Sequence, residues 1–144
     1  RPLDLIQPYR LEMGTRLQTS RGKDLYAFWG ERISKTVNKW TVEHDHKVLV
    51  NLASNEYFKS IKLKTLDSQV ITPVFQEVKE DKARVISFMA KKARGMMARY
   101  MVTEQVNTTE SLKDFRGGGY TFQPNESSET RWVYRRPQPP PANN

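Results

Sequence analysis

Residues 70–106 have the sequence VITPVFQEVKEDKARVISFMAKKARGMMARYMVTEQV, and this stretch decides the fold class. Its first part, residues 70–78 and 82–88, is rich in β-branched and aromatic side chains and turns at Glu80-Asp81, which predicts a β-hairpin. In residues 90–106 the apolar side chains recur every three or four positions, which predicts a long helix. Pro73 lacks a backbone N–H, so we expect it at the start or on an edge of its strand.

The flanking segments predict further helices and further strands. Residues 23–41 carry a helical apolar stripe, with Asp24 in the first turn. The apolar run at 48–53 predicts a buried strand, followed by a short helix capped by Ser54. Alternation at 9–13 predicts a short strand, and 120–123 with 130–135 predict a final hairpin. The predicted fold is α+β, a mixed sheet with two long helices and β-hairpins.

The two ends of the chain lead to different expectations. Arg1 opens directly on residues typical of folded sequence, so we expect the N-terminal part of the fold to be absent. The last residues, 137–144, contain four prolines and no core residue, which predicts a disordered proline-rich tail. Residues 1–136 would then form the C-terminal part of a single domain.

Composition limits the classes of function. The chain has 24 basic and 16 acidic residues, a net charge of +8, which favours a polyanion as partner. It has no cysteine, which excludes disulfides, thiolate metal sites and cysteine nucleophiles within this segment. No apolar run approaches the ~20 residues of a membrane span, so we predict no membrane contact.

The predicted long helix lies in a basic stretch that contains no acidic residue between 82 and 103. Cations in the first turn of a helix are unfavourable by about 0.3–1 kcal/mol each, and a bound anion would offset this cost. Gly95 would let a ligand or backbone approach closely. A solvated helix face with a glycine packed in the core is the open alternative. The candidate anion-binding residues are Lys91, Lys92, Arg94 and Arg99, with Arg10 and Lys59 as contributors.

Other polar groups give weaker signals. Asn51, Ser54 and Glu56 follow the buried strand, where polar residues often line a crevice, and Glu56 with Lys59 fits an acid–base pair or a plain surface ion pair. The His44-x-His46 spacing fits a metal site, but a polar turn without a third ligand favours a loop. We therefore predict no catalytic residue, no metal and no cofactor.

Four ordered motifs resemble the YaaA family of bacterial peroxide stress resistance proteins. They are RPLDLIQPYRLEMG (1–14), KDLYAFWG (23–30), VNLASNEYFK (50–59) and ISFMAKKARG (86–95), the last continuing to Tyr100. The similarity covers about residues 1–123. It implies a cytoplasmic protein of which this chain is the C-terminal part, so that the missing N-terminal half is itself a partner.

The resemblance also implies a function. Members of the family are linked to the response to hydrogen peroxide, to limiting free intracellular iron, and to DNA binding through a basic cleft. Contacts would go to the phosphate backbone and be independent of sequence. The family's helix-hairpin-helix element has no glycine signature here and is expected in or across the absent half.

Two alternatives to DNA binding stay open. One is an enzyme acting on a nucleotide or phosphorylated small molecule, and the other is direct iron sequestration. A non-enzymatic role is favoured, because thiol peroxidases need a cysteine that this chain lacks.

Overall fold

The structure is a computed structural model that describes Leu5 and residues 12–140. It confirms the α+β class, since helices pack on a mixed sheet. Residues 9–11 of the predicted first strand lie outside the described residues, and Arg10 with them. The described elements are α1 (Leu25–Trp29), α2 (Arg32–Thr41), β1 (Val48–Val50), α3 (Asn55–Phe58), β2 (Gln69–Lys79), β3 (Lys82–Arg84), α4 (Ser87–Thr103), α5 (Thr109–Leu112), β4 (Thr121–Phe122) and β5 (Arg131–Pro137).

Strand β2 is the centre of the sheet. The strand order is β1-β2-β5-β4, with β1 and β5 parallel to β2 and β4 antiparallel to β5. Strand β3 pairs antiparallel with the last residues of β2. Pro73 lies inside β2 and not at its start. It falls in the stretch of β2 between its pairing with β1 and its pairing with β3, where that edge is open and a missing N–H breaks no ladder bond.

The predicted hairpin between β2 and β3 is confirmed. Glu80 and Asp81 have φ of 51° and 59°, and Lys79 pairs with Lys82 around them. Two positive φ values are typical of the type I′ turn, whose twist matches that of the flanking strands. Strand β3 ends at Arg84, sooner than predicted, because α4 begins at Ser87.

The prediction of one continuous helix over residues 23–41 was wrong. Gly30, with φ of 50°, ends α1 and donates its N–H to the Tyr26 carbonyl, and α2 begins two residues later at Arg32. Glycine reaches this left-handed conformation without steric cost. The apolar spacing continues across the break, so periodicity alone could not reveal it. Asp24 is the N-cap of α1, accepting from Ala27 N–H at 2.8 Å.

The core lies between α4 and one face of the sheet. Burial alternates along β2, and its inward side chains include Ile71 and Phe75. Small residues of α4, Ala90 and Ala93, let the helix come close to this face. An aromatic cluster completes the core, with the ring of Phe75 centred 5.4 Å from Tyr134. Phe115 and Tyr120 also contact the Phe75 ring edge-on.

The C-terminal part of the chain continues the sheet beyond residue 136. Strand β5 runs through Pro137, and the Gln138 N–H donates to the Val78 carbonyl at 2.9 Å. Residues 141–144 lie outside the described residues. Among the helices of the described part, none has the length and apolar character needed to cross a membrane.

Candidate nucleic-acid interface

The basic residues of α4 lie further along the helix than predicted. Helix α4 begins at Ser87, after the extended Ile86, and not at Ala90, so Lys91, Lys92 and Arg94 belong to its second turn. The effect of the helix dipole falls off within the first turn. The predicted electrostatic need for an anion at this end of α4 is therefore weaker than the sequence indicated.

The outward side of α4 presents a mixed cationic and apolar surface. Lys91, Lys92 and Arg99 are exposed, and Arg94 is half-buried. None of the four forms an ion pair with another described residue. We call the exposed residues Phe88, Lys91, Lys92, Gly95, Arg99 and Val102 the α4 outer face.

Gly95 lies at the middle of the α4 outer face. A Cβ built on it would meet no atom within 4 Å in the described structure, so this glycine is not packed in the core of the chain. The helix backbone is open to close approach at this point. Lys92 bends toward Phe88, with Nζ 4.6 Å from the ring centroid, which leaves its charge at the surface.

The predicted polar crevice is occupied by local hydrogen bonds. The Asn51 amide is buried, donates to Thr72 Oγ1 at 3.3 Å and accepts from Ala53 N–H at 3.1 Å. Ser54 caps α3, as predicted. A Glu56 carboxylate oxygen accepts from Met13 N–H at 3.0 Å. These side chains hold the strand end and α3 in place.

Lys59 lies apart from this crevice, in a cavity of about 820 Å³ between the α1–α2 junction and the segment after α3. Two further lysines line the same cavity, Lys62 and Lys64. Sequence reasoning missed both, although residues 57–66 contain three lysines and no acid, a signal of the same kind as that used for α4.

A buried charge pair at the start of α4 was also missed. Glu77 is 1% exposed and accepts from Tyr120 Oη and from Arg136 Nε, the latter at 2.8 Å. Arg136 also donates to the Gly118 carbonyl at 2.7 Å and reaches Met89 Sδ at 3.5 Å. The hydrogen bond to Glu77 raises the pKa of Arg136. The pair ties β2 and β5 to the glycine turn Gly117–Gly119 and to the first turn of α4.

The two histidines belong to no group of metal ligands among the described residues. His44 and His46 are exposed in the turn before β1, beside an open groove of about 1200 Å³. The described residues contain no group of three histidine, aspartate or glutamate side chains that could hold a metal ion.

The chain is thus an α+β protein whose longest described helix presents cations on the side away from the sheet. A family model described as "Peroxide stress protein YaaA" matches residues 1–126, and the chain belongs to this family.

Relatives support the same assignment. The chain is 56% identical to a UPF0246 protein of Tolumonas auensis over 138 residues, 96% of this chain and 53% of that protein. It is 54% identical to UPF0246 proteins of Magnetococcus marinus and Burkholderia mallei, covering 94% of this chain and 53% of each relative. The chain therefore spans about half the length of the curated relatives that it matches.

Proposed function

We propose that this chain belongs to a cytoplasmic DNA-binding protein of the peroxide stress response, and that the α4 outer face contacts the phosphate backbone. The observation that carries the proposal is the group of exposed cations, Lys91, Lys92 and Arg99, without ion-pair partners among the described residues. The net charge of +8 acts in the same direction. Arg94 and Lys59 add to the positive electrostatic potential of this protein, and Arg10 stays a predicted contributor to DNA binding.

The shape of the α4 outer face suits a phosphate backbone. Gly95 carries no side chain, so it leaves the helix backbone open to a phosphate between the cations. Helix-borne lysines and arginines that meet phosphates bind without reading bases. Binding would therefore be independent of sequence and sensitive to salt.

We further propose that the protein helps to limit free intracellular iron and oxidative damage, as the resemblance to the peroxide stress family implies. Its binding along the phosphate backbone would also displace cations condensed on the DNA, which protects the DNA locally and is separate from the limit on free iron.

Binding ranks ahead of catalysis in this proposal. An enzyme acting on a nucleotide or phosphorylated small molecule would need Asn51, Ser54 and Glu56 for its chemistry. Each of them accepts a backbone hydrogen bond that holds the fold.

The test is a salt titration of duplex DNA binding by the full-length protein that contains this chain. Replacing Lys91 and Lys92 with alanine should lower the slope of log K against log salt by about two, since two phosphate contacts are lost. Lys39→Ala with Lys47→Ala is the matched control, because both lysines are exposed away from α4, Lys39 on α2 and Lys47 in the turn before β1. An unchanged slope in the α4 variant, or no binding by the unaltered protein, would contradict the proposal.

A further inference from the structure

The cavity beside Lys59 has a wall that the fold holds firmly. This wall is the 3-10 turn Leu63–Thr65, which α2 fixes through two inward polar side chains. Ser34, fully buried, accepts from Lys62 N–H at 2.8 Å and donates to the Lys62 carbonyl at 3.2 Å. Asn38 donates to the Thr65 carbonyl at 2.7 Å and accepts from Asp67 N–H at 3.0 Å. The lysine-bearing segment is thus anchored at both ends.

The lining of the cavity combines apolar side chains with cations. Phe58 and Ile61 are half-buried, and Leu63 is 59% exposed, an unusual position for a leucine on an anchored turn. Lys59, Lys62 and Lys64 form no ion pair with another described residue. We call these six residues the lysine cavity.

The one acidic side chain of the cavity is already engaged. Glu31 binds Lys35 Nζ at 2.8 Å and accepts from Thr65 Oγ1 at 3.1 Å. The Glu31 charge is therefore compensated by Lys35 and not by the three lysines, and the lysine cavity keeps an excess of positive charge. An apolar floor with a cationic rim is complementary to a flat apolar group that carries phosphate.

We infer that the lysine cavity binds a nucleotide unit, with the base on Phe58, Ile61 and Leu63 and the phosphate among the lysines. The unit is either a free mononucleotide or an unpaired residue of single-stranded nucleic acid. The inference rests on the proposed function in one respect. It gives a nucleic-acid-binding protein a second contact, with a base, besides the phosphate contacts of the α4 outer face. Unpaired bases stack on aromatic side chains, which Phe58 supplies here, while their phosphates follow a basic groove.

Two variants separate the parts of this site. Lys59→Gln with Lys64→Gln removes rim charge, and Leu63→Ser removes an exposed floor contact whose loss should not disturb the core. Lys39→Gln is the matched control, since Lys39 is exposed near the end of α2 and outside the cavity. Thermal unfolding of each variant verifies that it folds.

The probes are a short oligothymidylate, an abasic strand of equal length, and thymidine monophosphate. We expect Leu63→Ser to weaken oligothymidylate binding by about tenfold, the order expected when the apolar contact of one leucine with a base is lost, and to leave the abasic strand unaffected. The lysine variant should lower the salt slope for single strands by about 1.4, because two cations are lost. Thermal stabilisation of the protein by thymidine monophosphate would show that the lysine cavity takes a free nucleotide. If there is no stabilisation, the bound unit is a nucleotide within a strand.

Three results would overturn the inference. They are unchanged oligothymidylate binding in both variants, equal losses for the thymidylate and abasic strands in Leu63→Ser, and equal competition by a fatty acid that has no ring. The proposed function is judged separately by the Lys91 and Lys92 variant with duplex DNA, whereas Leu63→Ser, which removes no charge, should leave duplex binding unchanged.

Discussion

Gly95 shows how one residue combines a cost in stability with access to a surface. Glycine inside a helix costs about 0.5–1 kcal/mol relative to alanine. The described structure offers no packing reason for it, since a Cβ at this position would meet no atom within 4 Å. Under the proposed function, the benefit is the close approach of the phosphate backbone to the α4 outer face.

Gly95→Ala should therefore raise the free energy of unfolding by about 0.5–1 kcal/mol, because alanine is the better helix former and has room. In the DNA titration the same variant should bind several times more weakly, because a methyl group stands between the helix and the phosphate. Chemical denaturation and fluorescence anisotropy measure the two effects. Ala98→Gly, on the exposed side of the same helix, should lose a similar amount of stability. A stabilised Gly95→Ala variant with unchanged affinity would mean that DNA does not approach at this point.

At the scale of elements, the parallel pairing of β2 with β5 brings Glu77 opposite Arg136, 59 positions apart in sequence. The preceding residue, Arg135, lies on the other side of β5 and pairs with Glu126 at 3.1 Å. Glu77 is 1% exposed, whereas Glu126 is 50% exposed, so the two ion pairs have very different surroundings. A buried carboxylate depends on its partner much more than an exposed one does.

Arg136→Met should lower the free energy of unfolding by about 3–5 kcal/mol, because it leaves the Glu77 charge buried without its cation. Arg135→Met, the neighbouring control, should cost about 1 kcal/mol or less. Denaturant unfolding of both variants is the measurement. Adding Glu77→Gln to Arg136→Met should recover much of the loss, since no unpaired charge then remains and the amide oxygen can still accept from Tyr120 Oη. Equal losses in the two single variants would contradict this account.

At the scale of the whole molecule, stability depends on keeping two core tyrosines neutral. Burial, reinforced by the hydrogen bond to Glu77, raises the pKa of Tyr120 well above its ordinary value of 10.0. Burial also raises the pKa of Tyr134, whose Oη donates to the Leu112 carbonyl at 2.9 Å. Both hydroxyls lie where the aromatic cluster meets the backbone of the C-terminal segments.

The free energy of unfolding should fall as the pH rises above 10.0, where unfolded tyrosines lose protons that the folded ones keep. The stabilising contribution is complete below that pH and is lost as the pH approaches the folded-state pKa. Urea titrations at neutral pH and at a series of higher values measure the slope. In Tyr120→Phe the slope above pH 10.0 should be shallower, because one of the two groups is gone. A slope identical to that of the unaltered protein would show that Tyr120 ionises freely in the folded state.

Local chemistry made several features predictable from the sequence. The α+β class, the turn at Glu80-Asp81, the Ser54 cap and the existence of α4 depend on residues close together in the chain. The basic character of α4 and the family motifs are also properties of the sequence. The start of α4 was misplaced because Ile86 gives no capping signal, and the break at Gly30 was hidden by continuous apolar spacing.

Helical periodicity, turns and motifs are local, so the element types, the charge and the family can be predicted from the sequence. The tertiary structure, in contrast, sets the exact breaks and which residues share a site. It placed Lys59, Lys62 and Lys64 around one cavity because α2 holds the turn after α3, and it buried Glu77 because β5 returns beside β2. These contacts join distant residues, and their geometry follows from packing the elements together, which no local pattern encodes.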